Sequence, residues 1–144
     1  MVNIKNKSTN KLLDELTSGA PLTSFISENS ENFIEINISE TLHRLLKEKG
    51  LTKSAVLKRA EINDIYGYQI FSGKRRPSRD KLISIALGME LSLEEVQVLL
   101  KSAGFQELYP KFKRDSIIIN CVCENKSVFE TNGILYNYNQ TLLE

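Results

Sequence analysis

Between Ser39 and Gly104 the chain stops and restarts a helix at short intervals, and this punctuation constrains its fold more than any other feature. Leu42, Leu45 and Leu46 form an apolar stripe that runs into Lys49-Gly50, a basic last turn followed by the residue best suited to a left-handed helix stop. Thr52 can cap a second helix that turns Val56, Leu57 and Ala60 inward. Asn63 can cap a third, carrying Ile65, Tyr66, Ile70 and Phe71 as far as Gly73. Pro77-Ser78 opens a fourth with Leu82, Ile83, Ile85, Ala86 and Leu87, and Gly88 is expected to end it. Ser92-Leu93-Glu94-Glu95 reads as a capping box before Val96, Val98, Leu99 and Leu100, with Gly104 at the far end. Five short helices in about 65 residues, joined by loops of a few residues, describe a small helical bundle.

The flanks read the same way. Ser8 to Thr17 places Leu12, Leu13 and Leu16 on one side of a helix that Ser18-Gly19-Ala20-Pro21 breaks, and Leu22, Phe25 and Ile26 start another. Phe33 to Ile38 alternates apolar and polar residues and reads as an extended linker or a helix start. In the tail, Asp115 to Glu124 is apolar on more than one side, which requires burial against the core or a second subunit. The run Ile117-Ile118-Ile119 would also suit a strand, but a lone strand has nothing to pair with. A second capping box, Ser127 to Glu130, leads to Ile134, Leu135, Tyr136 and Tyr138. The chain is therefore expected to be all-α, with seven or eight helices. Its divisions are an N-terminal extension (1–38), a five-helix domain (39–104) and a C-terminal extension (105–144). The N-terminal part is expected to pack on the middle, since Leu12, Leu13, Leu16, Phe25 and Phe33 need burial.

Several function classes are excluded by what the sequence lacks. No run approaches 18 apolar residues, so no bilayer-spanning helix is expected. Residues 1–10 carry scattered Lys and Asn with no apolar core behind them, so no signal peptide is expected. Cys121 and Cys123, two apart, form neither a disulfide framework nor a zinc site. They read as small buried hydrophobes in a cytoplasmic protein. His43 is the only histidine, with no Ser or Cys nucleophile and acid partner to place around it. Glu94 and Glu95 serve the capping box, and the glycines stand singly, without a phosphate-binding loop. The expectation is no catalytic residue, no cofactor and no metal.

The charge balance, 19 Lys and Arg against 18 Asp and Glu, hides an asymmetry. From Thr41 to Lys81 there are eleven bases and four acids, a net +7; the remaining eight bases and fourteen acids net −6. A basic block in an otherwise acidic chain suits a polyanion, while a lysine-rich solvated helical face would show the same count.

The segment Leu51 to Gly73, LTKSAVLKRAEINDIYGYQIFSG, concentrates the functional signal. It is a capped helix, a tight turn at Glu61-Ile62-Asn63 and a second helix, with Val56, Leu57, Ala60, Ile62, Ile65 and Ile70 spaced to bury the inside of a helix-turn-helix. Lys74-Arg75-Arg76-Pro77-Ser78-Arg79 follows at once. This segment resembles the helix-turn-helix of the phage lambda repressor and Cro class, the XRE family of bacterial transcription regulators. Their pattern opens Leu-Thr/Ser-Gln, ends in aromatic-polar-Gly and continues Lys-Arg-x-Pro-Ser. The resemblance spans about Ser39 to Gly104, slightly under half the chain. The tail, with Leu108-Tyr109-Pro110, Arg114-Asp115 and Glu130-Thr131-Asn132, resembles a subgroup with a long C-terminal extension.

The resemblance implies a lambda-repressor-like domain whose third helix enters the major groove of double-stranded DNA. Lys53 takes the position of the family's glutamine, beside Ser54. Asp64, Ile65, Tyr68, Gln69 and Ser72 face outward, with Tyr66 beside them. Gln69 is the most apt base reader, since its amide matches adenine N6 and N7. Lys74, Arg75, Arg76 and Arg79 would meet phosphates. Three positions depart from the pattern. Glu61 stands where the turn glycine is usual, Gly67 replaces a buried apolar residue and leaves a gap for Tyr66 and Tyr68 to cover, and Asp64 brings a carboxylate to the groove. Two functions follow as expectations: a sequence-specific regulator, with the tail helices as candidates for a homodimer contact, or an adaptor whose helical domain holds a protein partner. Whether Glu61 and Asp64 interrupt the positive surface discriminates between them.

Overall fold

The computed structural model describes residues 7–33 and 37–144, and they form two compact units on either side of Glu35 and Ile36. Among the described residues the regular structure is helical, and none lies in a strand. Residues 34–36, the centre of the alternating stretch, lie outside the described residues.

The first unit holds α1 (Thr9–Thr17), α2 (Leu22–Glu28) and a 3-10 turn at Ser30–Asn32. Ser8 caps α1 through the N–H of Lys11, as its position before the leucines predicts. Phe25 is buried and meets the Phe33 ring edge to face. Leu13, Leu16 and Phe33, which the sequence sends inward, are exposed instead.

The second unit carries α3 (Ile38–Lys49), α4 (Lys53–Arg59), α5 (Asp64–Phe71), α6 (Arg79–Gly88), α7 (Leu93–Ser102), α8 (Lys113–Cys123) and α9 (Val128–Asn137). Its helix starts follow local chemistry. The side chains of Thr52, Asn63 and Ser78 each accept from backbone N–H groups of the first turn, and both capping boxes form. At the centre lies α6, buried from Leu82 to Gly88 on every side, as its near-continuous apolar run requires. It packs most closely on α4 and also touches α7 and α9.

Gly88 does not stop α6. It is the buried last residue of the helix, and a Cβ there would stand 2.6 Å from the carbonyl oxygen of Val56. The left-handed residue that follows the helix is Glu90, at φ 54°. Close approach of α4 and α6 explains the glycine. Val98 is also turned outward, 65% exposed, because Val96, Leu99 and Leu100 already fill the inner face of α7.

The tail is part of the same core. Ile118, Val122, Val128, Leu135 and Leu143 join the apolar cluster built by α3 to α7. A reciprocal pair of ion pairs joins α6 to α8. Arg79 donates from Nη2 to Asp115 Oδ2 at 3.1 Å, and Arg114 donates from Nη2 to Asp80 Oδ2 at 2.8 Å. Adjacent residues of opposite charge at each helix start thus exchange partners. Cys121 is buried, with its thiol pushed up from the ordinary range mainly by desolvation, whereas Cys123, expected to be buried as well, is exposed. On α9 only one side is apolar and covered: Tyr136 and Tyr138 are exposed.

Candidate nucleic-acid interface

Helices α4 and α5 are joined by Ala60 to Asn63. The turn is made by Glu61 at φ 56°, a left-handed conformation that costs a non-glycine residue about 1 kcal/mol. The Ile62 N–H returns to the Leu57 carbonyl at 3.0 Å and its side chain is buried, which fixes the angle between the helices. Asn63 then accepts through Oδ1 from the N–H groups of Ile65 at 2.9 Å and Tyr66 at 3.4 Å.

The inner face of α5 is Gly67, Ile70 and Phe71. No gap opens at Gly67, because the Leu57 methyl groups lie 2.4 and 2.5 Å from where a Cβ would sit. Leu57 occupies the space itself, so Tyr66 and Tyr68 need not cover it. The C-terminal end of α5 is held from behind. Ser39 Oγ donates to the Phe71 carbonyl, and His43 Nε2 lies 2.9 Å from the same oxygen, so that nitrogen carries the proton. Two donors satisfy a carbonyl that the end of a helix leaves open. This role for His43 and Ser39 has no local signature in the sequence.

The outer face carries Asp64, Ile65, Tyr68 and Ser72, all exposed, with Gln69 half-buried; Ile65 is 72% exposed rather than part of the inside. Arg75 folds back over this face. Its Nε donates to Gln69 Oε1 at 3.0 Å and its guanidinium lies 4.8 Å from the centroid of the half-buried Tyr66 ring. Lys81, which the sequence pattern did not single out, approaches the same ring at 5.7 Å from α6. Lys53 lies 5.9 Å from the Phe71 ring, which brings the start of α4, with exposed Ser54, beside the end of α5. Lys74 and Arg76 are exposed and meet no carboxylate among the described residues.

Arg79 is the exception among the expected phosphate contacts. Its guanidinium is spent within the fold, donating to the carbonyls of Gln106 at 3.0 Å and Glu107 at 3.2 Å as well as to both oxygens of Asp115. Its fork geometry suits that bidentate pair, and it is not available to a ligand. Arg44, Lys49 and Arg59 are likewise paired, with Glu48, Glu95 and Glu90. Removing these four bases, and the paired acids Glu48 and Asp80, from the Thr41–Lys81 block leaves seven bases against Glu61 and Asp64, a net +5. Both remaining acids are exposed and have no cationic partner among the described residues. The surface is thus cationic around the C-terminal half of α5 and acidic at its N-terminal end.

No protein-family model, curated protein or solved structure matches the chain. Among the described residues no helix is long and apolar enough to cross a membrane.

Proposed function

We propose that the chain is a sequence-specific DNA-binding regulator of the XRE kind, with α4 and α5 as its helix-turn-helix and α5 as the element that enters the major groove. The observation that carries the reading is the outer face of α5, where Ile65, Tyr68 and Ser72 are exposed and Gln69 is half-buried, followed directly in the chain by the unpaired cations Lys74 and Arg76. Gln69 reads adenine, Ile65 meets a thymine methyl, and each good pairing discriminates by about 1 to 3 kcal/mol. Lys53, Lys74, Arg75 and Arg76 supply phosphate contacts, which set affinity and salt dependence. A dimer fits this use, since two-fold symmetry presents two recognition helices to two half-sites. The exposed, uncharged side of α9 suits pairing with a second copy: Phe129 and Tyr136 are each 74% exposed, with open space at Gly133 between them. Sedimentation should then show a dimer that Phe129→Glu converts to a monomer; a wild-type monomer at tens of micromolar would remove this part of the reading.

The test is fluorescence-anisotropy titration of DNA upstream of the chain's own gene against a scrambled duplex, at two salt concentrations. Preference for the upstream DNA is expected. Arg75→Ala with Arg76→Ala should reduce the salt slope by up to about 2, since each lost phosphate contact removes roughly 0.9. Equal, weak binding to both duplexes, indifferent to the arginines, refutes the proposal. A second reading, an adaptor that docks a protein partner, rests on Glu61 and Asp64, whose exposed carboxylates break the positive surface at the end of α5 that would approach the bases.

A further inference from the structure

Behind the C-terminal end of α5 lies a cavity of about 390 Å³ whose lining shares only Arg75 and Arg76 with the proposed DNA face. Its floor is the buried Ile70 and Pro77, and its walls are the half-buried Ile38, Ala103 and Phe105. The rim is polar and includes Arg76, exposed and without an acidic partner among the described residues. At ~30 Å³ per water, the volume corresponds to about a dozen waters, the size of a small organic molecule. An apolar floor with a few polar groups at the mouth is the usual form of a small-molecule site.

We propose that this cavity binds a small organic anion, an oxyanion head on a compact apolar body, and that the bound anion lowers affinity for DNA. The apolar body lies on Ile70, Pro77 and Phe105, and the head meets Arg76, since a guanidinium fork matches a planar oxyanion. The start of α3 contributes at the rim. Asn37 lies at that rim, with its Oδ1 accepting from the Glu40 N–H and its Nδ2 donating to the Glu40 carboxylate, which is not part of the cavity lining. The N–H groups of Ile38 and Ser39 stay outside the ladder of α3 itself. The coupling is direct. Arg76 cannot serve the ligand head and a DNA phosphate together, and Ile70, on the cavity floor, follows Gln69 on α5. Its neighbour Arg75 lines the same cavity and holds Gln69 Oε1. This regulatory half rests on the DNA reading; the site itself does not.

The experiment uses 1-naphthoate as probe and 1-naphthamide as its neutral counterpart, on the full chain, followed by amide NMR shifts. Naphthoate should move the amides of Ser39, Gly73 and Gly104, all at the cavity, and bind at least tenfold tighter than the amide. Arg76→Gln, an exposed substitution that leaves the core intact, should bring naphthoate down to the level of the amide. Ala103→Phe should block both. Shifts scattered over other surfaces, or equal binding of acid and amide, overturn the site. Anisotropy titrations repeated with saturating naphthoate should show DNA affinity lowered at least tenfold, and Ala103→Phe should remove that response. Naphthoate bound at the cavity with DNA affinity unchanged overturns the regulation alone. Naphthoate bound by a chain that shows no preference among duplexes overturns the DNA reading and leaves the site.

Discussion

Replacing Arg79 with alanine separates a structural role from a DNA-contacting one, because the two roles predict opposite readouts. The guanidinium reaches two backbone carbonyls and both oxygens of Asp115, and the Asp115 side chain is only 7% exposed. Without Arg79 that carboxylate keeps the Tyr109 N–H, at 3.0 Å, and loses its counter-charge. Removing one partner of a buried ion pair costs about 3 to 5 kcal/mol. Arg79 retains 25% side-chain exposure and water can partly replace it, so the lower figure applies. In a unit running from Ile36 to Glu144, a loss of about 3 kcal/mol at roughly 4 °C per kcal/mol lowers the melting temperature by about 12 °C. Thermal unfolding followed by circular dichroism measures this, with Arg76→Ala as the control that should not move. Asp115→Ala combined with Arg79→Ala should cost less than the sum of the two single changes, since no charge is then left buried. An unchanged melting temperature for Arg79→Ala, together with loss of DNA affinity, would refute the reasoning and return Arg79 to the phosphate-contacting set.

Four further substitutions follow from the structure. Glu61→Gly relieves the left-handed residue of the turn, and after the entropy glycine loses on folding the net gain should be about 0.5 kcal/mol by urea denaturation; a loss would mean the Glu61 side chain has a contact that outweighs its strain. Gly88→Ala should cost about 2 kcal/mol or more, because its methyl meets the Val56 backbone. Gly67→Ala should cost less, since its methyl meets the Leu57 side chain rather than backbone and the change gains about 1 kcal/mol of helix propensity; the reverse order would contradict the close approach of α4 and α6. The Glu95 carboxyl is held below its ordinary 4.5 first by Lys49 and then by the Ser92 N–H. Its contribution is therefore complete above that value and fades as pH falls through the lower folded value. Glu95→Gln should flatten the stability profile in that acid range, and an unaltered profile would show that the capping carboxylate contributes nothing measurable.

The positive block is where a count of residues and the folded molecule differ most. Eleven bases between Thr41 and Lys81 suggest a broad polyanion surface. Four of them are consumed by ion pairs, and of the seven that remain Lys74, Arg75 and Arg76 follow one another just after α5. The linear pattern Lys-Arg-Arg-x-x-Arg gives no reason to separate Arg79 from its neighbours. Ser78, one residue before it, starts α6 and turns Arg79 toward α8, a partner 36 residues away in sequence.

What the sequence determined by itself is the set of helices in the second unit and most of their ends. Thr52, Asn63, Ser78, Ser92 and Ser127 cap through hydrogen bonds to residues two or three positions on, so the information is local and legible. Apolar spacing likewise marked the inner faces, including the tail helix that had to be buried. What only the tertiary structure decided is everything that depends on distance across the chain. It decided that Gly88 is a point of close approach rather than a helix stop, and that Leu57 fills the space at Gly67. It showed that Cys123 and Val98 face outward, that Ser39 and His43 hold the end of α5, and that the tail completes the core. Local hydrogen bonds are fixed by neighbours in sequence, whereas packing and ion pairing are fixed by neighbours in space, and a single sequence names only the first kind.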